Sequence, residues 1–147
     1  MKKVGISLLF VLGVLTGATA QDVIFAENSV QEGFTGTHVV KADGAVEAEY
    51  TFKNGVPDGP VSFFNKEGNK TESGAFTKGK KNGTWEKFHN GDRVGIANYT
   101  NGKKDGEWKI YDTTGVLRYE MYFKKGQKVG TWKMYDEAGA LTSEKEF

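Results

Sequence analysis

The sequence predicts an all-β chain, an elongated antiparallel meander of stacked β-hairpins with about eight or nine strands. Three observations carry that prediction. A skeleton recurs four times in register, each copy holds two short β-rich runs, and Gly, Asn and Asp punctuate the runs at fixed offsets. Set from one leading aromatic to the next, the units begin at Phe52, Phe76, Tyr99 and Phe123, with Phe147 opening a fifth, at spacings of 24, 23, 24 and 24 residues. Such a period is a fold-level signal, because a unit of this size buries its apolar side only by stacking on its neighbours.

The chain opens with Lys2 and Lys3, continues through an apolar run from Ile6 to Leu15, and reaches Ala18-Thr19-Ala20 before its first acidic residue, Asp22. A basic start, a short apolar stretch and a small-x-small ending mark a secretory signal peptide. Residues 1–20 are therefore expected to be cleaved after Ala20, and the chain to be exported, periplasmic or secreted. Residues 21–36 show no repeat register and are expected to form an irregular N-terminal cap, with Val23, Ile24, Phe25 and Phe34 apolar enough to pack. Over residues 37–51 the second half of a unit is traceable, since Gly44 lies 24 residues before Gly68 and Phe52 lies 24 before Phe76. Full units occupy 52–75, 76–98, 99–122 and 123–146, so the repeat domain spans 37–147.

Within each unit a glycine stands at the fourth position (Gly55, Gly79, Gly102, Gly126) and another at the eighth (Gly59, Gly83, Gly106, Gly130). Two residues on comes Val61, Trp85, Trp108 or Trp132, and three later a further aromatic, Phe64, Phe88, Tyr111 or Tyr135. A third glycine (Gly68, Gly91, Gly115, Gly139) separates this run from the one leading into the next unit. Both runs are β-rich and lack a helical period. His89-Asn90-Gly91-Asp92 suits a two-residue type I′ hairpin, whereas the turns beginning at Asn65, Asp112 and Asp136 are one residue longer and start on a side chain able to bond its own backbone.

Alternation assigns the faces. With a four-residue loop in the third unit, Trp108 and Ile110 join Leu117, Tyr119, Met121 and Phe123 on a core side, leaving Lys109, Tyr111, Arg118, Glu120 and Tyr122 on a half-wet side. A three-residue loop would shift the pairing by one and mix the faces. The expected structural core is thus Trp85, Trp108 and Trp132 with Phe52, Phe76, Tyr99 and Phe123. The candidate binding face is the aromatic column Phe64, Phe88, Tyr111 and Tyr135 with Lys109 and Lys133 alongside, a set of rings that suits a peptide, a sugar polymer or a headgroup surface. The last run, Leu141 to Phe147, carries three consecutive charges, which blunt an edge strand against further pairing.

Several chemistries are excluded or unsupported. Lys and Arg number 20 against 19 Asp and Glu, so no basic surplus points to nucleic acid. With no cysteine, disulfides and thiolate chemistry are ruled out. His38 and His89 lack ligand-like spacing, and Asp58, Asp105, Asp112 and Asp136 recur at turns, where a backbone-bonding role is expected rather than a metal site. No nucleophile elbow or phosphate-binding glycine loop is present, so neither an enzyme nor a cofactor is expected.

The recurring G-x-x-x-G-x-W-x-x-Y-x-x-x-G, seen as GKKDGEWKIYDTTG and GQKVGTWKMYDEAG, resembles the bacterial variant of the MORN repeat. The resemblance covers Thr37 to Phe147, with the first full unit departing most, since it has Val61 in the Trp position and Pro57 and Pro60 beside its glycines. It implies a β-hairpin ribbon that serves as an interaction or scaffold module, and relatives of this type are often described as antitoxins of a toxin–antitoxin pair. It brings no catalytic residues. The expected function is an exported, non-enzymatic scaffold in a bacterial envelope whose partner is another protein. A glycan- or lipid-binding module using the aromatic column is the alternative, and a neutraliser of a partner toxin the second alternative.

Overall fold

The structure, a computed structural model, describes residue 30 and residues 32–147, so the leader and most of the expected cap lie outside the described residues. Ten strands follow in chain order: β1 (Gly36–Ala42), β2 (Ala45–Lys53), β3 (Val56–Phe64), β4 (Lys70–Thr77), β5 (Lys80–His89), β6 (Asp92–Thr100), β7 (Lys103–Tyr111), β8 (Leu117–Lys124), β9 (Gln127–Tyr135) and β10 (Leu141–Glu146). Each pairs antiparallel with the next in one open sheet, and no helix occurs among the described residues. The all-β meander is as the repeat predicts. The strands number ten rather than about eight or nine because the expected half-unit folds as a whole hairpin, β1–β2.

That extra strand is in full register with the others. Gly36 pairs with Phe52 as Gly59 does with Phe76, Gly83 with Tyr99 and Gly106 with Phe123. Gly36 is therefore an eighth-position glycine, and His38, two residues on, stands where later units carry tryptophan. Its ring packs edge-on against Phe34 and Phe52, with centroids 6.4 and 6.1 Å away.

Two kinds of hairpin alternate along the sheet. At positions three and four of the full units, Asn54-Gly55, Lys78-Gly79, Asn101-Gly102 and Lys125-Gly126 are two-residue turns, and φ at the non-glycine positions is 52°, 49°, 49° and 50°. Both residues of each are left-handed, the signature of a type I′ turn whose twist matches the strands it joins. Within units, Asp43-Gly44 and Asn90-Gly91 do the same, whereas Asn65, Asp112 and Asp136 open longer loops. The Asp112 carboxylate accepts from the Thr114 and Val116 amides at 3.0 and 3.1 Å, and Asp136 accepts from those of Ala138 and Ala140, both at 2.9 Å. These side chains take up amides that the turn leaves without a strand partner.

The third-unit loop departs from expectation in an informative way. The Asp112 amide donates to the Val116 carbonyl at 3.0 Å, which encloses three residues rather than four. Tyr111 then pairs with Leu117, but Ile110 pairs with Tyr119, leaving Arg118 as an extra residue in β8. This bulge restores the register the shorter loop would have lost, so Trp108 faces Met121 and Ile110 faces Tyr119 on one side. The separated faces form by a different device from the one expected, and Leu117 is the exception: it pairs with Tyr111 before the bulge and so shares the half-wet side instead of the core side.

Burial is concentrated towards the N-terminal end. Ala48, Tyr50, Phe52, Val61, Phe76 and Trp85 form one buried cluster, with Val30, Phe34, Val40, Phe63, Ala97 and Tyr99 packed against it. The departure at Val61 has a packing reason. Its cross-strand partner is Tyr50, whose ring lies 6.2 Å from Phe76 and 5.6 Å from Phe63, so the tyrosine fills the volume that a tryptophan occupies in later units.

Candidate functional site

The tryptophans and leading aromatics form a single ladder on one face of the sheet. Centroid distances run 5.2 Å from Phe76 to Trp85, 6.3 Å to Tyr99, 5.2 Å to Trp108, 5.2 Å to Phe123, 5.1 Å to Trp132 and 4.6 Å to Phe147. Phe52 joins at the other end through Tyr50, 6.0 Å away. All seven residues expected in the core belong to this ladder. Each indole also has a fixed polar partner: Trp85, Trp108 and Trp132 donate Nε1–H to the carbonyls of Ala75, Asn98 and Tyr122 at 3.2, 3.0 and 3.0 Å. Those bonds sit where one residue of the preceding strand faces three of the tryptophan strand, so the indole N–H is satisfied where the regular ladder is interrupted.

A second periodic set lies over the rings. Lys81 Nζ is 3.7 Å from the Trp85 ring centre, Lys104 Nζ 4.3 Å from Trp108 and Lys128 Nζ 4.5 Å from Trp132. Each also reaches the next leading aromatic, at 5.4, 4.8 and 4.8 Å for Tyr99, Phe123 and Phe147. A cation over a ring face is worth about 0.5–2 kcal/mol, more when desolvated. Sequence reading passed over these lysines. The signal was available, because each stands two residues before the eighth-position glycine and recurs with the unit.

The lysines differ in their counterions. Lys81 is buried and bonds Glu72 at 2.8 Å. Burial first, and the Glu72 charge second, push the nearby Tyr50 hydroxyl up to about 12 and raise Tyr99 above the ordinary tyrosine value. No carboxylate of the described residues lies within 4 Å of Lys104 or Lys128. The same face is uncovered there. Ile110, Tyr119 and Met134 are 41, 39 and 44 % exposed, and they are direct cross-strand partners in one row over β7, β8 and β9. Sequence reading placed Ile110 and Tyr119 on the core side, and they are on that side, but nothing covers them among the described residues.

The candidate binding column lies at strand ends, Phe64, Tyr111 and Tyr135 beside the longer loops and Phe88 beside the two-residue Asn90-Gly91 turn. Phe64, Phe88, Tyr111 and Tyr135 are half-buried, and their cross-strand partners are Lys70, Arg93, Leu117 and Leu141 rather than one another. The two lysines assigned to that column are neutralised. Lys109 bonds Glu107 at 2.9 Å and Lys133 lies 3.8 Å from Glu120. The Tyr122 hydroxyl is 3.2 Å from both Glu107 and Glu120, and burial followed by these carboxylates raises its pKa. Lys109, Glu120, Lys133 and Glu144 alternate in sign as successive cross-strand partners. This lattice satisfies its own charges. No cluster of three potential metal-binding side chains occurs among the described residues, and His89 stands at a turn as expected.

Residues 104–125 and 128–147 each match the family described as MORN repeat variant. The match is confined to these two units of the repeat domain. Each match begins at a ring-capping lysine, Lys104 or Lys128, and takes in the tryptophan and the next leading aromatic, so it contains the lysine–indole–aromatic stack whole. No match was found among curated proteins. Among solved structures, the chain is similar to one described as the GtfA/B complex bound to UDP and GlcNAc, at 15 % identity and TM-score 0.31, over 95 % of this chain and 28 % of that one. It is also similar to one of accessory secretory protein 1,2 and 3 in Streptococcus pneumoniae, at 13 % identity and TM-score 0.31, over 82 % of this chain and 22 % of that one. The chain thus spans about a quarter of the length of either (28 and 22 %), and at that score neither likeness bears on function.

Proposed function

We propose that the chain is a non-catalytic interaction module that binds another protein through its tryptophan face, and that it does so outside the cytoplasm. MORN repeats in general mediate contacts with proteins or membranes. The observation that carries the protein-binding reading is the exposed row Ile110, Tyr119 and Met134 beside two lysines that have no carboxylate within 4 Å among the described residues, on a face whose other half is buried. Large apolar side chains grouped on one face of a sheet, rimmed by charge, mark a contact surface. The leader-like first twenty residues support export.

Immobilised chain is expected to enrich a discrete protein from an envelope extract, and Tyr119→Glu to abolish the enrichment while the circular dichroism spectrum stays unchanged. Enrichment of nothing, or turnover of a substrate by the purified chain, would contradict the reading. Export is tested separately, by an N-terminus at Gln21 in the periplasmic or culture fraction; an intact chain retained in the cytosol counts against it.

A further inference from the structure

The exposed row and the lysines over the neighbouring tryptophans share one direction. Ile110, Tyr119 and Met134 succeed one another across β7, β8 and β9, so the row runs perpendicular to the strands with steps of about 4.8 Å. Lys104 and Lys128 hold equivalent positions two strands apart, and so lie about 10 Å from each other in that same direction. An occupant that matches both spacings must present apolar groups roughly every 5 Å and negative charge roughly every 10 Å along a line. An extended strand laid along the row alternates its faces at about 3.3 Å per residue, so its same-face side chains fall about 6.6 Å apart and drift out of step. A helix rises about 1.5 Å per residue, which places positions three to four apart at 4.5–6 Å and positions seven apart at about 10.5 Å. The helix meets both periods.

The charge pattern selects its sign. Lys81 has Glu72 as an internal partner, whereas Lys104 and Lys128 have no carboxylate within 4 Å among the described residues. Both are held over indoles and leading aromatics, so their ammonium groups are positioned before any partner arrives. Gly95 is the β6 partner of Ile110, and leaves the row without a side chain at the end nearer Lys87. We infer that an acidic amphipathic helix of a partner protein docks across β7–β9 on the tryptophan face. Its apolar stripe would lie on Ile110, Tyr119 and Met134, and carboxylates seven residues apart would meet Lys104 and Lys128. This inference rests on the protein-binding reading and adds the partner's secondary structure, orientation and charge.

The test places a photoreactive residue at Tyr119 in the full chain, in cells that make the protein naturally, and maps the adducts by mass spectrometry. The expected adduct lies in a partner segment with apolar residues three to four apart and acidic residues seven apart. The double variant Lys104→Glu, Lys128→Glu should lower the adduct yield at least tenfold, while Lys109→Glu, Lys133→Glu on the opposite face leaves it within twofold. Thermal unfolding of both double variants shows whether each is folded, and Lys104→Gln, Lys128→Gln supplies a milder pair with the same expected direction. Adducts in a basic or non-amphipathic protein segment, or a yield indifferent to reversal at Lys104 and Lys128, would overturn the helix inference and leave the protein-binding reading standing. Adducts to lipid alone, or no adduct at all, would overturn both.

Discussion

The two ends of the tryptophan face carry one motif in two states. In β4–β5, Trp85 is 2 % exposed and the lysine above it is paired with Glu72. In β7–β9, Trp108 and Trp132 are half-buried, their lysines have no carboxylate within 4 Å among the described residues, and an apolar row lies open beside them. The residue beneath each ring accounts for much of the difference. Gly74, Ala97 and Met121 occupy the same position in successive units, two residues before the leading aromatic. A Cβ on Gly74 would lie 2.3 Å from Trp85 Cδ2, so that ring sinks onto bare backbone. Ala97 and Met121 place side chains at the position where Gly74 has none. A repeat protein can thus spend one end of its ladder on stability and keep the other end as surface, with no change in topology.

If this contrast is right, the largest effect belongs to the buried ring. Trp85→Ala should cost about 3–5 kcal/mol in urea unfolding, and Trp132→Ala roughly half as much or less, because less of its surface leaves water on folding. Equal costs would erase the contrast. Alkali provides the next test. The Tyr50 hydroxyl, pushed up to about 12 in the folded state from the ordinary tyrosine value of about 10, keeps its proton where the unfolded chain has lost it. Its stabilising contribution is therefore complete below pH 10 and lost as pH rises to 12, by roughly 2–3 kcal/mol. Tyr50→Phe should remove most of that slope.

Gly74→Ala should destabilise by about 1–3 kcal/mol through overpacking against Trp85. Gly95→Ala meets only Lys87 Cβ at 3.3 Å and the Lys109 carbonyl oxygen at 3.8 Å, so it should stay within about 0.5 kcal/mol of the parent in the same assay. The smallest effect is at the turns. Lys78 and Lys125 hold φ of 49° and 50° where Asn54 and Asn101 do so in sister units. Lys78→Asn should therefore stabilise by about 0.5–1 kcal/mol, read as a shift in the urea midpoint. No gain would mean that the aliphatic stem of Lys78 packs well enough to offset its strained backbone.

Much of the fold was legible because it is periodic. The glycines at unit positions four and eight, the Asx residues at Asn65, Asp112 and Asp136, and the tryptophan spacing predict hairpins and faces without tertiary information. The first strand was not, because the period there is carried by Gly36 and His38, and a histidine in a tryptophan's place breaks the visible pattern while keeping the register. The Arg118 bulge was hidden for a related reason: loop length and bulge offset each other, and only their sum shows in the spacing. At the site, aromatic residues drew attention to Tyr111 and Tyr135, while lysines usually read as solvated charge. The geometry shows Lys104 and Lys128 as parts of the stack, and Lys109 and Lys133 as members of a neutral lattice.

The division of the tryptophan face is tested most directly by fluorescence quenching of three single-tryptophan proteins, each keeping Trp85, Trp108 or Trp132 with phenylalanine at the other two positions. Acrylamide should quench Trp108 and Trp132 several-fold faster than Trp85, whose emission should also be the bluest. Equal quenching of all three, or a protected Trp132 beside an accessible Trp85, would contradict the account.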